Sequence, residues 1–149
     1  GKFYRLRSPF DSNQTRWLVV SEDKNEAILG YYQKLQQSNP PLENIRLKGL
    51  DPDKLYKLEN RIQYLNIKEF GDLVNERLPI NIKDGGILQS LISNNYFFEQ
   101  EKESITAYGD ELMNAGFRPY NQFIGTGYNE KIRYIGDFGS RLYYLKALK

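Results

Sequence analysis

The chain has 149 residues, enough for one ordinary domain with a sizeable core. Its 21 basic and 19 acidic side chains leave a net charge of +2, so no general attraction to nucleic acid or anionic lipid is expected. The absence of cysteine and histidine excludes disulfides, thiolate metal sites, cysteine nucleophiles and a Ser-His-Asp triad. No stretch approaches the roughly 20 apolar residues of a membrane helix, and we expect no membrane partner.

Aromatic side chains are frequent, with twelve tyrosines, eight phenylalanines and one tryptophan, Trp17. Tyrosine is favoured on half-buried pleated surfaces, so this composition favours β-sheet. Most of these rings are therefore expected in the core or on a sheet surface. The alternative is a stacking platform for sugars or bases.

The first predicted elements form a strand, a turn and a hairpin. Lys2 to Arg7 is predicted as a strand, and the polar cluster from Ser8 to Asn13 stops it. A second strand is predicted from Arg16 to Val20, followed by a solvated loop from Ser21 to Asn25. Because the first residue is glycine and a strand begins at once, we expect the chain to be part of a larger protein.

The segment from Ala27 to Leu35 fits two periodicities. Ile28, Tyr31, Tyr32 and Leu35 have helical spacing, whereas alternate residues also fit a strand. The residues alone leave helix and strand open here.

The middle of the chain mixes strand and helix patterns. Asn44 to Leu50 alternates as a strand does, and another strand begins at Leu55 and could continue to Ile67. Helical spacing predicts a short helix within 68–78. The apolar residues from Ile87 to Ile92 fit either a helix or a short strand.

The last third returns to strand patterns. Glu99 to Glu103 is predicted as a solvated loop, and Ile105 to Tyr108 as extended. Ser140 to Leu148 closes the chain as a strand. On one side of it lie Arg141, Tyr143, Leu145 and Ala147. Many short strands separated by turn residues predict an antiparallel sandwich instead of βαβ units.

One glycine motif superficially resembles a dinucleotide loop. Gly125 and Gly127 are followed by Glu130, but the third glycine is missing and no βαβ context surrounds the motif. A plain glycine-rich turn is the better interpretation, and no cofactor is expected.

Acidic residues could supply acid and base groups without histidine. A retaining glycosidase needs two carboxyls about 5–5.5 Å apart, and Asp110, Glu111 and Asp137 are the candidates considered. Nothing in the sequence brings a pair of them together, and Asp110 and Glu111 would point to opposite faces of extended backbone. A structural or surface role is predicted for each.

Arginines interleave with aromatic residues at Arg16, Arg46 and Arg133. A nucleic-acid surface would require a concentrated basic face, which these three scattered positions do not form. No nucleic-acid partner is expected.

Several segments in order resemble the C-terminal domain of bacterial α-galactosidases of glycoside hydrolase family 36. They cover nearly the whole chain: Gly1 to Phe10, Trp17 to Ala27, Tyr31-Tyr32, Asn39 to Leu42, Arg46 to Pro52, Tyr108 to Asn114 and Gly136 to Leu142. Each segment is modest alone, and their order makes the resemblance specific.

The resemblance implies an N-terminal β-domain, a catalytic (β/α)₈ barrel and a C-terminal antiparallel β-sandwich. The family's enzymes hydrolyse terminal α-galactosyl groups from raffinose- and melibiose-type sugars with retention. Their nucleophile lies in a Lys-Trp-Asp motif, but here Trp17 lies between Arg16 and Leu18. The acid/base motif, Ser-Gly-Gly-x-x-x-Asp, has no match. No catalytic, cofactor-binding or metal-binding residue is therefore predicted in this chain.

The resemblance favours strand for Ala27 to Leu35 and makes Trp17 a sheet-packing residue. It implies a mainly β, Greek-key-like antiparallel β-sandwich over residues 1–149, with an insert at about 60–104 that contains the helical segment 68–78. We expect a structural domain of a cytoplasmic bacterial α-galactosidase, packed on the catalytic barrel and able to contribute to homo-oligomer contacts. The alternatives are a carbohydrate-binding module and an independent interaction domain.

Overall fold

Antiparallel strands make up most of the structure, a computed structural model that describes residues 1–35, 37, 43–66, 83, 85–95, 97–99, 102–119 and 137–148. The chain divides into two compact units. The first comprises Gly1–Arg61, Lys102–Asn121 and Ile135–Lys149, and the second comprises Ile62–Glu101 and Gln122–Tyr134. That residues 1–149 form a single domain with an insert at about 60–104 stays a prediction.

Six strands form the sheet of the first unit: β1 (Lys2–Arg7), β2 (Gln14–Val20), β3 (Glu26–Gln33), β4 (Leu55–Asn60), β7 (Ser104–Tyr108) and β8 (Ser140–Ala147). Their order across the sheet is β1-β2-β3-β8-β4-β7, and every neighbouring pair is antiparallel. The last strand, β8, lies between β3 and β4, so the chain crosses over instead of forming a simple meander. The predicted fold class, mainly β and antiparallel, is confirmed.

The ambiguous segment after Asn25 is a strand. β3 pairs with β2 on one side and with β8 on the other, so both of its edges are hydrogen-bonded. Ala27, Leu29 and Tyr31 are buried, whereas Ile28 and Tyr32 are exposed. The period of two prevails because the strand contributes alternate residues to a core on one face of the sheet.

On the buried face of the sheet, the strand register places leucines of neighbouring strands opposite one another. Leu18 on β2 lies opposite Leu29 on β3, and Leu145 on β8 lies opposite Leu58 on β4. All four leucines are fully buried. Burial of such a side chain contributes about 1.5–3 kcal/mol relative to exposure, so this row fixes which face is inside.

An irregular layer, not a strand, covers that face beside β4. Ile45, Leu47 and Leu50 are buried in the same core cluster, but Asn44–Leu50 makes only an isolated bridge, from Ile45 to Phe117. The prediction that this segment is a strand is therefore wrong, because its backbone does not pair with a strand of the sheet. The amide of Leu47 bonds to the carbonyl of Leu112 instead of to a strand.

A short helix, α2 (Gly109–Asn114), follows β7 directly. Ile105 to Tyr108 is extended as predicted, but Asp110 and Glu111 lie in the first turn of the helix. The amides of Ala115 and Gly116 both donate to the carbonyl of Glu111, and Gly116 has φ 74°. A glycine in this conformation ends the helix at little cost, and six residues are too few to produce a helical period in the sequence.

The second unit contains a two-stranded sheet of β5 (Tyr64–Asn66) and β6 (Phe97–Glu99) together with helix α1 (Ile87–Asn95). The apolar segment from Ile87 is thus a helix, and the amide of Gly85 before it donates to the side chain of Gln89. The predicted continuation of β4 to residue 67 is wrong, because β4 ends at Asn60 and β5 pairs with β6. The helix predicted within 68–78 lies outside the described residues.

Candidate functional site

The outer face of the sheet carries a row of aromatic rings on β1, β2 and β3. The ring centroid of Trp17 lies 6.4 Å from that of Phe3 and 6.2 Å from that of Tyr32, with interplanar angles of 28° and 29°. Trp17 also lies opposite Gly30 on β3. The tryptophan therefore packs within the sheet, with a neighbouring ring on each side.

A second cluster lies where β1 and β2 meet the segment at Glu43. Arg7 and Arg16 both donate to Oε2 of Glu43, over 2.6 Å and 2.8 Å. Arg16 also bonds to the side chain of Gln14 and lies 5.5 Å from the Tyr31 ring centroid. Burial raises the pKa of Glu43, but the hydrogen bonds from the two arginines outweigh it and hold that pKa below its ordinary value. Glu43 thus links Arg7 and Arg16 as a charged anchor.

A polar pocket of about 500 Å³ lies beside this cluster. Its lining includes Arg7, Asp11, Gln14 and Glu43. The Arg7 guanidinium is paired with Glu43, and Asp11 adds a second carboxylate to the lining. Of the two carboxylates in the described lining, Glu43 is held by arginine.

A buried ion pair joins β8 to the start of β7. Arg141 is 2% exposed and Glu103 is 0% exposed, and Nη1 of Arg141 lies 2.5 Å from Oε1 of Glu103. The hydroxyl of Tyr143 lies 3.3 Å from both carboxylate oxygens, and burial raises its pKa. The prediction that Glu103 belongs to a solvated loop is therefore wrong. The sequence contained a sign of this pair. Arg141 shares one side of an alternating strand with the apolar Leu145 and Ala147, and a charge buried on that side requires a buried partner.

The three carboxylate candidates lie on two different parts of the fold. Asp110 and Glu111 begin α2, and Oδ1 of Asp110 accepts the backbone amide of Glu111 over 2.7 Å. Asp137 lies in the exposed turn before β8. Glu111 makes no side-chain bond to Asp110, and Asp137 belongs to a different part of the chain. Asp110 thus accepts a backbone amide within the first turn of α2, and Asp137 is a turn residue.

The remaining candidates are not brought together within the described residues. Arg16 is buried, whereas Arg46 is exposed on the irregular segment. Arg133 and the glycine motif at Gly125, Gly127 and Glu130 lie outside the described residues. In the part of the chain that the structure describes, no group of three acidic side chains is placed to hold a metal ion. None of its helices is long and apolar enough to span a lipid bilayer.

Comparison with known proteins assigns the family. The sequence model of the glycosyl hydrolase family 36 C-terminal domain matches residues 14–145. The chain belongs to this family. The resemblance drawn from the seven sequence segments is therefore confirmed.

Individual relatives agree with the family assignment. Alpha-galactosidase AgaA of Geobacillus stearothermophilus is 48% identical over 59 residues, covering 40% of this chain and 8% of AgaA. Alpha-galactosidase 1 of Pediococcus pentosaceus is 31% identical over 107 residues, covering 70% of this chain and 13% of that protein. The chain thus spans only a small part of the relatives that it matches.

Solved structures give the same result. A crystal structure of the family 36 α-galactosidase from Lactobacillus brevis matches with a TM-score of 0.58 at 28% identity, covering 100% of this chain and 14% of that one. A variant of AgaA in complex with raffinose matches with a TM-score of 0.56 at 28% identity, covering 99% of this chain and 13% of AgaA. The family 36 C-terminal domain therefore accounts for nearly the whole chain.

Proposed function

We propose that this chain is the non-catalytic C-terminal domain of an α-galactosidase that hydrolyses terminal α-galactosyl groups from raffinose- and melibiose-type sugars with retention. The observation that carries the proposal is the match to the family 36 C-terminal domain over residues 14–145. The relatives are α-galactosidases, and this chain covers 8% and 13% of the first two. The reaction would then belong to residues of the parent enzyme outside this chain.

The domain's own role is structural. Its charged clusters support this, because Arg7, Arg16 and Glu43 tie separate segments of the chain together, as do Arg141 and Glu103. Groups paired in this way are not poised for proton transfer to a substrate. The site prediction of no catalytic residue in this chain is retained as part of the proposal.

The partner of the domain is the catalytic barrel of the same parent chain, and the domain can also contribute to homo-oligomer contacts. Exposed large apolar side chains, which include Phe10 and Phe138, support such a docking role. We also propose that the parent acts in the bacterial cytoplasm, a compartment with which a chain without cysteine is compatible.

Activity of the purified 149-residue chain tests the proposal. We expect no hydrolysis of p-nitrophenyl α-galactoside above the buffer rate, while the full-length parent hydrolyses it. Turnover by the isolated chain that scales with its concentration and survives a second purification would overturn the non-catalytic assignment.

Carbohydrate binding by the outer aromatic row is the alternative, and the structure does not favour it. Pyranose rings stack on open aromatic faces, whereas Trp17 has Phe3 and Tyr32 beside it and covers Gly30. Titration with galactose, melibiose or raffinose should therefore leave Trp17 fluorescence without a saturable change. A saturable change that Tyr32→Ala abolishes would support the alternative instead.

A further inference from the structure

One end of the six-stranded sheet carries three exposed apolar side chains. Phe10 in the turn between β1 and β2 is 91% exposed, Leu35 after β3 is 55% exposed, and Phe138 before β8 is 83% exposed. We call these three residues the turn-end patch. Within the described residues, neither Phe10 nor Phe138 makes a ring contact, in contrast to Phe3, which lies beside Trp17. Large apolar groups exposed to water at one end of a sheet point to an interaction surface.

Lys34 connects the three segments that carry the patch. Its backbone amide donates to the carbonyl of Asn13 over 2.9 Å, and its carbonyl accepts the amide of Phe138 over 2.7 Å. Its ammonium group bonds to the carbonyl of Pro9, next to Phe10. Asn13 in turn exchanges two hydrogen bonds with the backbone of Leu35, over 2.6 Å and 3.0 Å. The patch is therefore held by a network of hydrogen bonds and does not consist of free loop tips.

Phe138 has a left-handed backbone conformation, with φ 58°. Bulky side chains rarely adopt this region, because Cβ approaches the following carbonyl oxygen. The hydrogen bonds that flank it, from Phe138 to Lys34 and from Gln33 to Gly139, hold the turn in place. A strained residue with an apolar ring exposed to water does not stabilise the fold of this domain. Such strain is typical of sites that serve a function.

We infer that the turn-end patch is the surface by which this domain docks on the catalytic part of the parent enzyme. The inference rests on the proposed function. The solved chain of AgaA is matched over only 13% of its length, so most of such a protein lies outside the match and is available to cover the patch. Phe10 and Phe138 also belong to segments that carry the family resemblance, Gly1 to Phe10 and Gly136 to Leu142, although neither ring is in the core.

The chemistry of the patch defines the surface that fits it. Asp11 follows Phe10, so this ring is accompanied by an exposed carboxylate. The complementary surface on the catalytic part is apolar at its centre with arginine or lysine at its rim. An aromatic anchor in a pocket of the partner is a typical arrangement for residues that contribute most to an interface.

Phe138→Gly gives the sharpest test, because its effects should have opposite signs in two contexts. In the isolated chain the change relieves the left-handed strain, and we expect the unfolding midpoint to rise by roughly 2–4 °C. In the full-length parent it removes a docking residue, and we expect the midpoint to fall and inactivation of α-galactosidase on heating to accelerate several-fold. Phe10→Ser should leave the isolated chain unchanged and weaken the parent in the same way.

Two control variants define the specificity of the effect. Ile87→Ser removes an apolar side chain that is 83% exposed, as Phe138 is, but lies on α1 of the second unit. Phe3→Ser removes an exposed ring of the outer sheet face. We expect Ile87→Ser to leave the parent unchanged and Phe3→Ser to weaken the isolated chain and the parent equally. Hydrogen exchange should also show the turn amides at residues 10 and 138 more protected in the parent than in the isolated chain.

The outcomes separate this inference from the proposed function. If removal of residues 1–149 from the parent lowers its stability but Phe10→Ser and Phe138→Gly do not, the docking surface lies elsewhere and only this inference fails. If removal of the domain has no effect, the proposed structural role fails. If the isolated chain dimerises in analytical ultracentrifugation, and both variants dissociate the dimer without affecting the parent, the patch contacts a second copy and the inference is overturned.

Discussion

The indole ring of Trp17 lies directly over Gly30, its cross-strand neighbour on β3. A Cβ at position 30 would lie 2.5 Å from Cζ2 and 2.8 Å from Nε1 of the ring. Contacts this short cannot be accommodated without moving the ring. Gly30 is therefore a condition for packing the single tryptophan across the sheet.

Gly30→Ala should destabilise the protein through this contact. We expect a loss of about 1–3 kcal/mol in the free energy of unfolding, the usual cost of overpacking, together with a shift in Trp17 fluorescence. Urea denaturation followed by fluorescence and circular dichroism measures both. In a Trp17→Leu background the same substitution should cost much less. An equal cost in both backgrounds would show that the ring is not the cause.

Glu103→Gln should be among the most damaging single substitutions. The guanidinium of Arg141 is buried, and the substitution removes the charge of its carboxylate partner, a change that typically costs about 3–5 kcal/mol. Glu59→Gln is the matched control, because Glu59 pairs with Lys57 and Lys102 at the surface and should cost less than about 1 kcal/mol. Similar unfolding free energies for the two variants would contradict the structural role of the buried pair.

Glu43 should make stability depend on pH in the acid range. Its pKa is lower in the folded protein than its ordinary value of 4.5, so the folded state favours the carboxylate. Its contribution is therefore fully present above about pH 4.5 and is lost as the pH falls through the lowered folded pKa. Between pH 6 and pH 3 the free energy of unfolding should change less in the Glu43→Gln variant than in the unsubstituted 149-residue chain. Parallel pH curves for the two proteins would exclude this contribution.

Tyr56→Phe should loosen the contact between the β2–β3 loop and the turn before β4. The Tyr56 hydroxyl donates to the carbonyl of Lys24 over 2.7 Å and accepts the amide of Asp51 over 3.0 Å. Loss of the hydroxyl leaves both backbone groups without this partner and should cost about 1–2 kcal/mol. Tyr32→Phe serves as the control, since Tyr32 is exposed. Faster amide exchange at Asp51 in Tyr56→Phe alone would confirm the mechanism, and equal effects of both variants would refute it.

Strand existence was more predictable than strand ends and helix positions. The predicted strands near β1, β2, β7 and β8 are all present. Helix α2 was not predicted, because six residues with one buried apolar side chain, Leu112, leave no periodic pattern. Asn44–Leu50 alternates in sequence but does not join the sheet. Alternation of apolar residues indicates which side chains are buried, but it does not specify which strand, if any, the backbone pairs with.

The charged clusters were the least predictable part of the molecule. Glu103 and Arg141 are 38 residues apart in sequence, and Glu103 lies in a segment whose local composition indicates a solvated loop. Glu43 gains its partners, Arg7 and Arg16, only when the chain folds. Local composition gives the average environment of a segment, whereas pairing of a single charge depends on a distant strand.

The sequence by itself determined the mainly β class, the absence of the cysteine and histidine chemistries, and the family to which the chain belongs, because these depend on composition, local periodicity and ordered motifs. Only the tertiary structure decided the insertion of β8 between β3 and β4, the burial of Glu103 against Arg141, and the hydrogen bonds by which Lys34 joins the turns of Phe10 and Phe138. Each of these joins residues far apart along the chain, and such pairs are selected by the packing of the whole domain.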